Sequence, residues 1–223
     1  MGDAIGQMLP SAVAIAAGPM QIIAIVLILV TPRGRVNGLA FILGWLLGLA
    51  VLGAIVLVAS GEVEATERGE PATWVAIVQF ALGGGLLYAG VRSWRGRPRG
   101  DAQPKSPKWM SSLDDLSTVK AFATGTFLSS LNGKNTLLAI AGALAIAETG
   151  IGTGEQAVAY AIFMLVATMG VGTPVLLTFA LGDRSRTMLD DLKDWMIANS
   201  SAVMAVVFGL LGVMILGDGL TSL

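Results

Sequence analysis

Between Arg35 and Glu62 the chain runs VNGLAFILGWLLGLAVLGAIVLVASG without one charged side chain. A helix needs about 20 predominantly apolar residues to cross a hydrocarbon core of roughly 30 Å, and this run is long enough. Apolar runs of similar length recur, so that six spans are predicted at about 4–30, 36–60, 72–93, 117–147, 155–181 and 197–217. A backbone amide left unpaired in lipid costs several kcal/mol, and the alternating pattern of a barrel strand is absent, so the spans must be helices. The expected fold is all-α, a polytopic membrane protein with six transmembrane helices. Composition agrees: 54% of the 223 residues are apolar and 13% are charged, with a mean hydropathy of +0.75. With His 0 and Cys 0, imidazole bases, thiol nucleophiles, disulfides and His/Cys metal sites are all excluded.

Charge sorts by loop and predicts orientation. Arg33 and Arg35 follow the first span, and Arg95, Arg97, Arg99, Lys105 and Lys108 follow the third. Both connections are expected in the cytoplasm. The acidic GEVEATERGE and the base-free ETGIGTGEQ are expected outside, and Arg184 and Arg186 after the fifth span agree with an inward turn. Both termini then lie outside the plasma membrane. MGDAIGQMLP has no basic residue ahead of its apolar stretch, so it reads as a retained span rather than a secretory signal. The basic loop could hold anionic headgroups, although a role as orientation signal suffices. Met188, Leu189, Leu192, Trp195 and Met196 share a face opposite Asp190, Asp191, Lys193 and Asp194, which predicts a short interfacial helix.

The chain also resembles itself. AAGPMQIIAIV aligns with SLNGKNTLLAI when Gly18 to Gln21 is set on Asn132 to Asn135, and the following spans align with Phe41 on Tyr160. Three spans per half would place the halves, 1–93 and 117–223 about a basic loop at 94–116, in opposite orientation. Such inverted repeats build transporters whose site lies at the repeat interface near mid-membrane. Gly18 and Pro19 fall at the midpoint of the first span and Lys134 at that of the fourth. Proline removes an amide and glycine loosens the helix, so each span is expected to divide, with the later half starting at the break and Pro19 in its first position. The free N–H groups of two half-helices, beside the Lys134 ammonium, describe an anion site.

A mid-depth lysine costs roughly 2.5–3.5 kcal/mol on insertion scales, and no carboxylate lies deep in any span to pair with it. It is therefore neutral, water-lined, or paired with something brought in; a helix contact is the alternative. Gln21, Asn132 and Asn135 supply amides at the same depth, the two asparagines on one face if the helix persists. They could read a headgroup or simply join helices. Gly133 completes the second break, and Thr168, Thr173 and Pro174 form a secondary polar spot in the fifth span, with Gln79 similar in the third. LNGKNT is not a P-loop: Leu128 stands where that motif needs glycine, and Asn135 where it needs a hydroxyl. Gly44 and Gly48, like Gly83 to Gly85, predict close helix packing within the chain or at a dimer face.

LPSAVAIAAGPMQIIAIVLILVTPRGRVNGLAFILGW, SSLNGKNTLLAIAGALAIAETG and VATMGVGTPVLL resemble the GAP family of small actinobacterial membrane proteins. That family includes the sulfolipid-addressing and glycopeptidolipid-addressing proteins and falls within the lysine-exporter (LysE) superfamily. The resemblance implies six helices in two three-helix repeats and a role in moving lipids or glycolipids toward export. Its matching positions are Pro19, Asn132, Lys134 and Asn135; members often carry proline where this chain has Gly133. A cationic lysine suits a phosphate, sulfate or carboxylate headgroup and would repel a cationic amino acid. The expected activity is that of a lipid transporter or flippase, not an enzyme, with no cofactor, metal or catalytic residue. Its partners would be a lipid or glycolipid, the membrane and, further, a homo-oligomer or an envelope-lipid export machinery, but no nucleic acid. The alternatives are a non-transporting accessory of an envelope-lipid complex and an exporter of a small amino-acid-like solute.

Overall fold

A computed structural model describes residues 1–64, 73–96 and 116–221, all helix and short connections. The helices are α1 (Gly2–Ala16), α2 (Pro19–Leu29), α3 (Gly34–Glu64), α4 (Thr73–Arg95), α5 (Thr118–Ser130), α6 (Gly133–Ala147), α7 (Thr153–Leu181) and α8 (Ser185–Thr221). Among the described residues helix occupies the stretches expected as spans, with breaks inside 4–30 and 117–147. Arg97, Arg99, Lys105 and Lys108 of the basic connection, and the end of the acidic one, lie outside the described residues. Among the described residues three helices are long and apolar enough to cross a membrane, or four if α1 and α2 count as one bent span. Leu165 is 67% exposed and Leu176 71%, as suits side chains that meet lipid rather than water.

The chain forms two compact units, Met1–Glu62 with Lys105–Ile197, and Val63–Pro104 with Ala198–Leu223. In the first unit, α3 and α5 meet backbone to backbone. A Cβ added at Gly44 would strike the carbonyl of Phe122, and one at Gly125 the carbonyl of Phe41. Gly48 sits against the Ser129 hydroxyl, so the GxxxG pair serves packing inside one chain. Thr126 Oγ1 donates across the seam to the Gly44 carbonyl at 3.1 Å. The start of α5 is tied by buried Asn37, whose Nδ2 donates to the Leu116 carbonyl at 2.9 Å and whose Oδ1 accepts from Thr118 at 3.0 Å. Tyr160 of α7 donates its hydroxyl to the Leu49 carbonyl at 2.9 Å, its ring filling the space left by Gly53.

In the second unit, α4 packs on the later part of α8. A Cβ at Gly83 would lie 2.7 Å from Leu216 Cγ, and one at Gly212 would lie 2.7 Å from Leu87 Cγ. Gly84 and Gly85 have open space beside them, so only the first glycine of that stripe makes a close approach.

The short interfacial helix expected at 188–196 is instead the opening of α8, continuous from Ser185 to Thr221. No glycine or proline occurs between Gly182 and Gly209 to end it. Its polar face keeps the expected character, with Lys193 Nζ paired to Asp190 at 2.8 Å.

Candidate functional site

The two broken helices have the same local construction. In the first, α1 ends at Ala16, Gly18 adopts extended backbone (φ −65°, ψ 119°), and Pro19 opens α2. The axes of α1 and α2 differ by 51°. In the second, α5 ends at Ser130, Asn132 is extended (φ −79°, ψ 111°), and Gly133 opens α6. The alignment of Gly18 to Gln21 on Asn132 to Asn135 thus sets cap on cap and first residue on first residue.

The third residue of each later half reaches back over its break. Gln21 donates its side-chain amide to the Ile15 carbonyl, and Asn135 Nδ2 donates to the Leu128 carbonyl at 2.7 Å. The two side chains are 2% and 1% exposed. Breaking a helix leaves the last carbonyls of the earlier half without intrahelical donors; Asn135 serves the Leu128 carbonyl, while the Ile15 carbonyl accepts from Gly18 N–H at 3.0 Å and takes Gln21 as a second donor. Gly18 makes the first of these folds possible, since a Cβ there would overlap the Gln21 amide. The condition under which Asn132 and Asn135 would share one helical face is not met. The helix does not persist through Asn132, and the amides of Gln21 and Asn135 brace the breaks.

The breaks also meet each other. Asn132 Nδ2 lies 3.7 Å from the Met20 sulfur, and Lys134 Nζ donates to the Ala14 carbonyl at 3.1 Å. Lys134 is half-buried and makes no ion pair among the described residues. The helix-contact alternative for this lysine is therefore real. Ala14 lies in the last turn of α1, where the carbonyls form the negative end of the helix dipole and an ammonium is favoured. One contact leaves two of three ammonium donors for another acceptor. The starts of α2 and α6 adjoin the same junction. It brings together the Lys134 ammonium, the opening turns of α2 and α6 and the closing turns of α1 and α5. One acceptor within it has no partner: Asn135 Oδ1 is fully buried and unbonded.

α7 closes the first break. A Cβ at Gly170 would fall on the Ala16 carbonyl, so α7 touches the end of α1 through bare backbone. Sequence reasoning passed over Gly170, although a glycine four residues before Pro174 was the available signal: proline cannot donate to the carbonyl at that position. Thr168 donates to the Met164 carbonyl at 2.6 Å and Thr173 to the Met169 carbonyl at 2.7 Å, both within their own helix. Thr173 is exposed. Both hydroxyls are thus bonded inside α7.

Nothing lies within 4 Å of a Cβ placed on Gly133. This glycine holds the first helical position after an extended residue, the setting that proline prefers. Gly133→Pro is expected to keep the fold and raise stability by about 0.4–1 kcal/mol, since it restricts the unfolded chain. Thermal unfolding in detergent would check this, a lowered midpoint being the contrary result.

The family model described as Sap, sulfolipid-1-addressing protein, matches residues 8–221 of the chain. Neither a curated protein nor a solved structure matches it.

Proposed function

The chain belongs to the sulfolipid-1-addressing protein family, and from that premise and the paired breaks we propose that it carries an anionic lipid or glycolipid, or a lipid-linked precursor, across the plasma membrane. The observation that carries this reading is the Lys134 ammonium, held where two broken helices meet and without a carboxylate beside it among the described residues. The headgroup would enter this junction while its acyl or prenyl chains stay in the bilayer. In that setting the lysine and the helix starts attract phosphate, sulfate or carboxylate and repel a cationic solute.

Six spans in two inverted repeats are part of the proposal. Their support is the matched construction of the breaks, with Gly18 answering to Asn132 and Gln21 to Asn135. The packing of α3 on α5 and of α7 on α1 joins each half to the other in a similar manner. On this reading the arginine ends face the cytoplasm and both termini lie outside. A carrier is favoured over an enzyme because no carboxylate is buried among the described residues to act as base.

A second reading, an accessory that organises a lipid-export complex without moving lipid, is favoured by one contact: the bond from Lys134 to Ala14 gives the lysine a structural partner. Reconstitution separates the two. Liposomes containing the protein and a fluorescent anionic lipid are expected to show faster transbilayer movement than empty liposomes. An unchanged rate would favour the accessory.

A further inference from the structure

We infer that the cavity at the corner between α2 and α3 is a second anion site, one that takes a tetrahedral oxyanion such as a phosphate or sulfate ester. The cavity holds about 420 Å3 and is lined by Thr31, Arg33, Arg35, Gly182, Ser185 and Leu189, among others. That volume lies within the roughly 300–1,000 Å3 of small-molecule sites. Arg33 and Arg35 both border it, and its described lining contains no carboxylate. Neither arginine forms an ion pair among the described residues.

One arginine of the wall has an aromatic neighbour. Arg35 is exposed and lies over the ring of Phe179, with its Cζ 5.9 Å from the ring centre, a contact that biases the planar guanidinium toward this wall. Gly182 ends α7 with φ +55°, a backbone that side-chain-bearing residues rarely adopt. That turn sets Ser185 into the wall at the start of α8, 1% exposed and with its hydroxyl donated to the Gly182 carbonyl at 2.6 Å. The first turn of α3 also faces the cavity, with a partial positive charge, and the last turns of α2 and α7 face it with the opposite one, so the arginines supply its net positive character. Orientation of the chain asks only that a loop be basic. It asks for neither a cavity nor an arginine over a ring. Arg33 and Arg35 therefore have a use beyond topology: a bidentate grip on an oxyanion. The apolar floor at Leu189 suits an anion that arrives on a lipid, while free phosphate has the same chemistry without the tail.

The full chain in phosphatidylcholine nanodiscs can be titrated calorimetrically with inorganic phosphate and, separately, with dihexanoyl phosphatidic acid. At least one probe is expected to bind, and binding should weaken by roughly tenfold or more in Arg33→Gln/Arg35→Gln, because two charge-assisted contacts are lost. Arg33→Lys/Arg35→Lys keeps the loop charge, and hence the orientation, and is expected to bind more weakly than wild type for want of the planar fork. Binding of phosphate alone would assign the site to a free oxyanion, and binding of the lipid alone to a headgroup; either supports the inference. Failure of both probes, or equal binding by wild type and the glutamine pair, would overturn it. So would loss of binding in Lys134→Met, which would move the anion to the central junction.

Discussion

Lys134→Met is expected to slow the transbilayer movement of an anionic lipid by about tenfold or more while leaving the protein at least as stable as before. The expectation follows from the sizes of the competing effects. The substitution removes one hydrogen bond, from Nζ to the Ala14 carbonyl, worth about 1 kcal/mol net, or about 1.5–3 kcal/mol for a charged donor. It also removes a cation from mid-span, which relieves roughly 2.5–3.5 kcal/mol on insertion scales. The two nearly cancel, and the balance favours methionine. For an anionic headgroup the loss is one-sided: two unit charges about 4 Å apart attract by about 4 kcal/mol at an effective dielectric constant of 20, and a thioether offers nothing in return. A zwitterionic lipid should be slowed less. Flux and thermal unfolding, measured on the same preparation, distinguish the readings, because a lysine that only joins helices would lower stability on removal and leave flux unchanged.

The second large effect is expected at Gly170. An alanine inside a helix ordinarily gains up to about 1 kcal/mol over glycine. At Gly170 the new methyl would meet the carbonyl of Ala16, a backbone atom that cannot rotate aside. α7 must then withdraw from the end of α1, and overpacking of this kind costs about 1–3 kcal/mol. Gly170→Ala is therefore expected to lower the unfolding midpoint and to reduce flux with it, because the first break loses its support. Gly172→Ala is the internal comparison. Its Cβ would find only the Thr168 methyl, 3.7 Å away, so the propensity gain stands and the midpoint should hold or rise. Effects of the same sign and size at the two glycines would contradict the packing described for α7.

The sequence carried the broken helices because proline and glycine act on the backbone they occupy. Pro19 can open a helix but cannot continue one from Ala16, and the Asn132–Gly133 pair does the same work with weaker means. The self-alignment found the register of the breaks because cap, first residue and third residue each need a particular chemistry. What it could not give was direction. Gln21 and Asn135 were legible as polar groups at depth, but whether an amide faces a ligand or turns back depends on which carbonyls the break sets free. The partner of Lys134 was hidden for a similar reason: it is the carbonyl of Ala14, a group that every residue has. Gly170 matters through the backbone of another helix, and no periodicity marks such a contact. The cavity beside Arg33 and Arg35 draws its wall from residues 29–36 and from 178, 182, 185 and 189, segments far apart in the chain. Charge counting saw its arginines but not its shape.

The account rests on the meeting of the two breaks, and cross-linking measures that meeting directly. The chain has no cysteine of its own, so Met20→Cys/Asn132→Cys introduces the only thiols, at side chains now 3.7 Å apart. In membranes this pair is expected to join within one chain, through mild oxidation or a short thiol-to-thiol cross-linker, while each single variant yields no intramolecular product. A double variant whose thiols both react with a maleimide yet never join would place the two breaks apart and contradict the site.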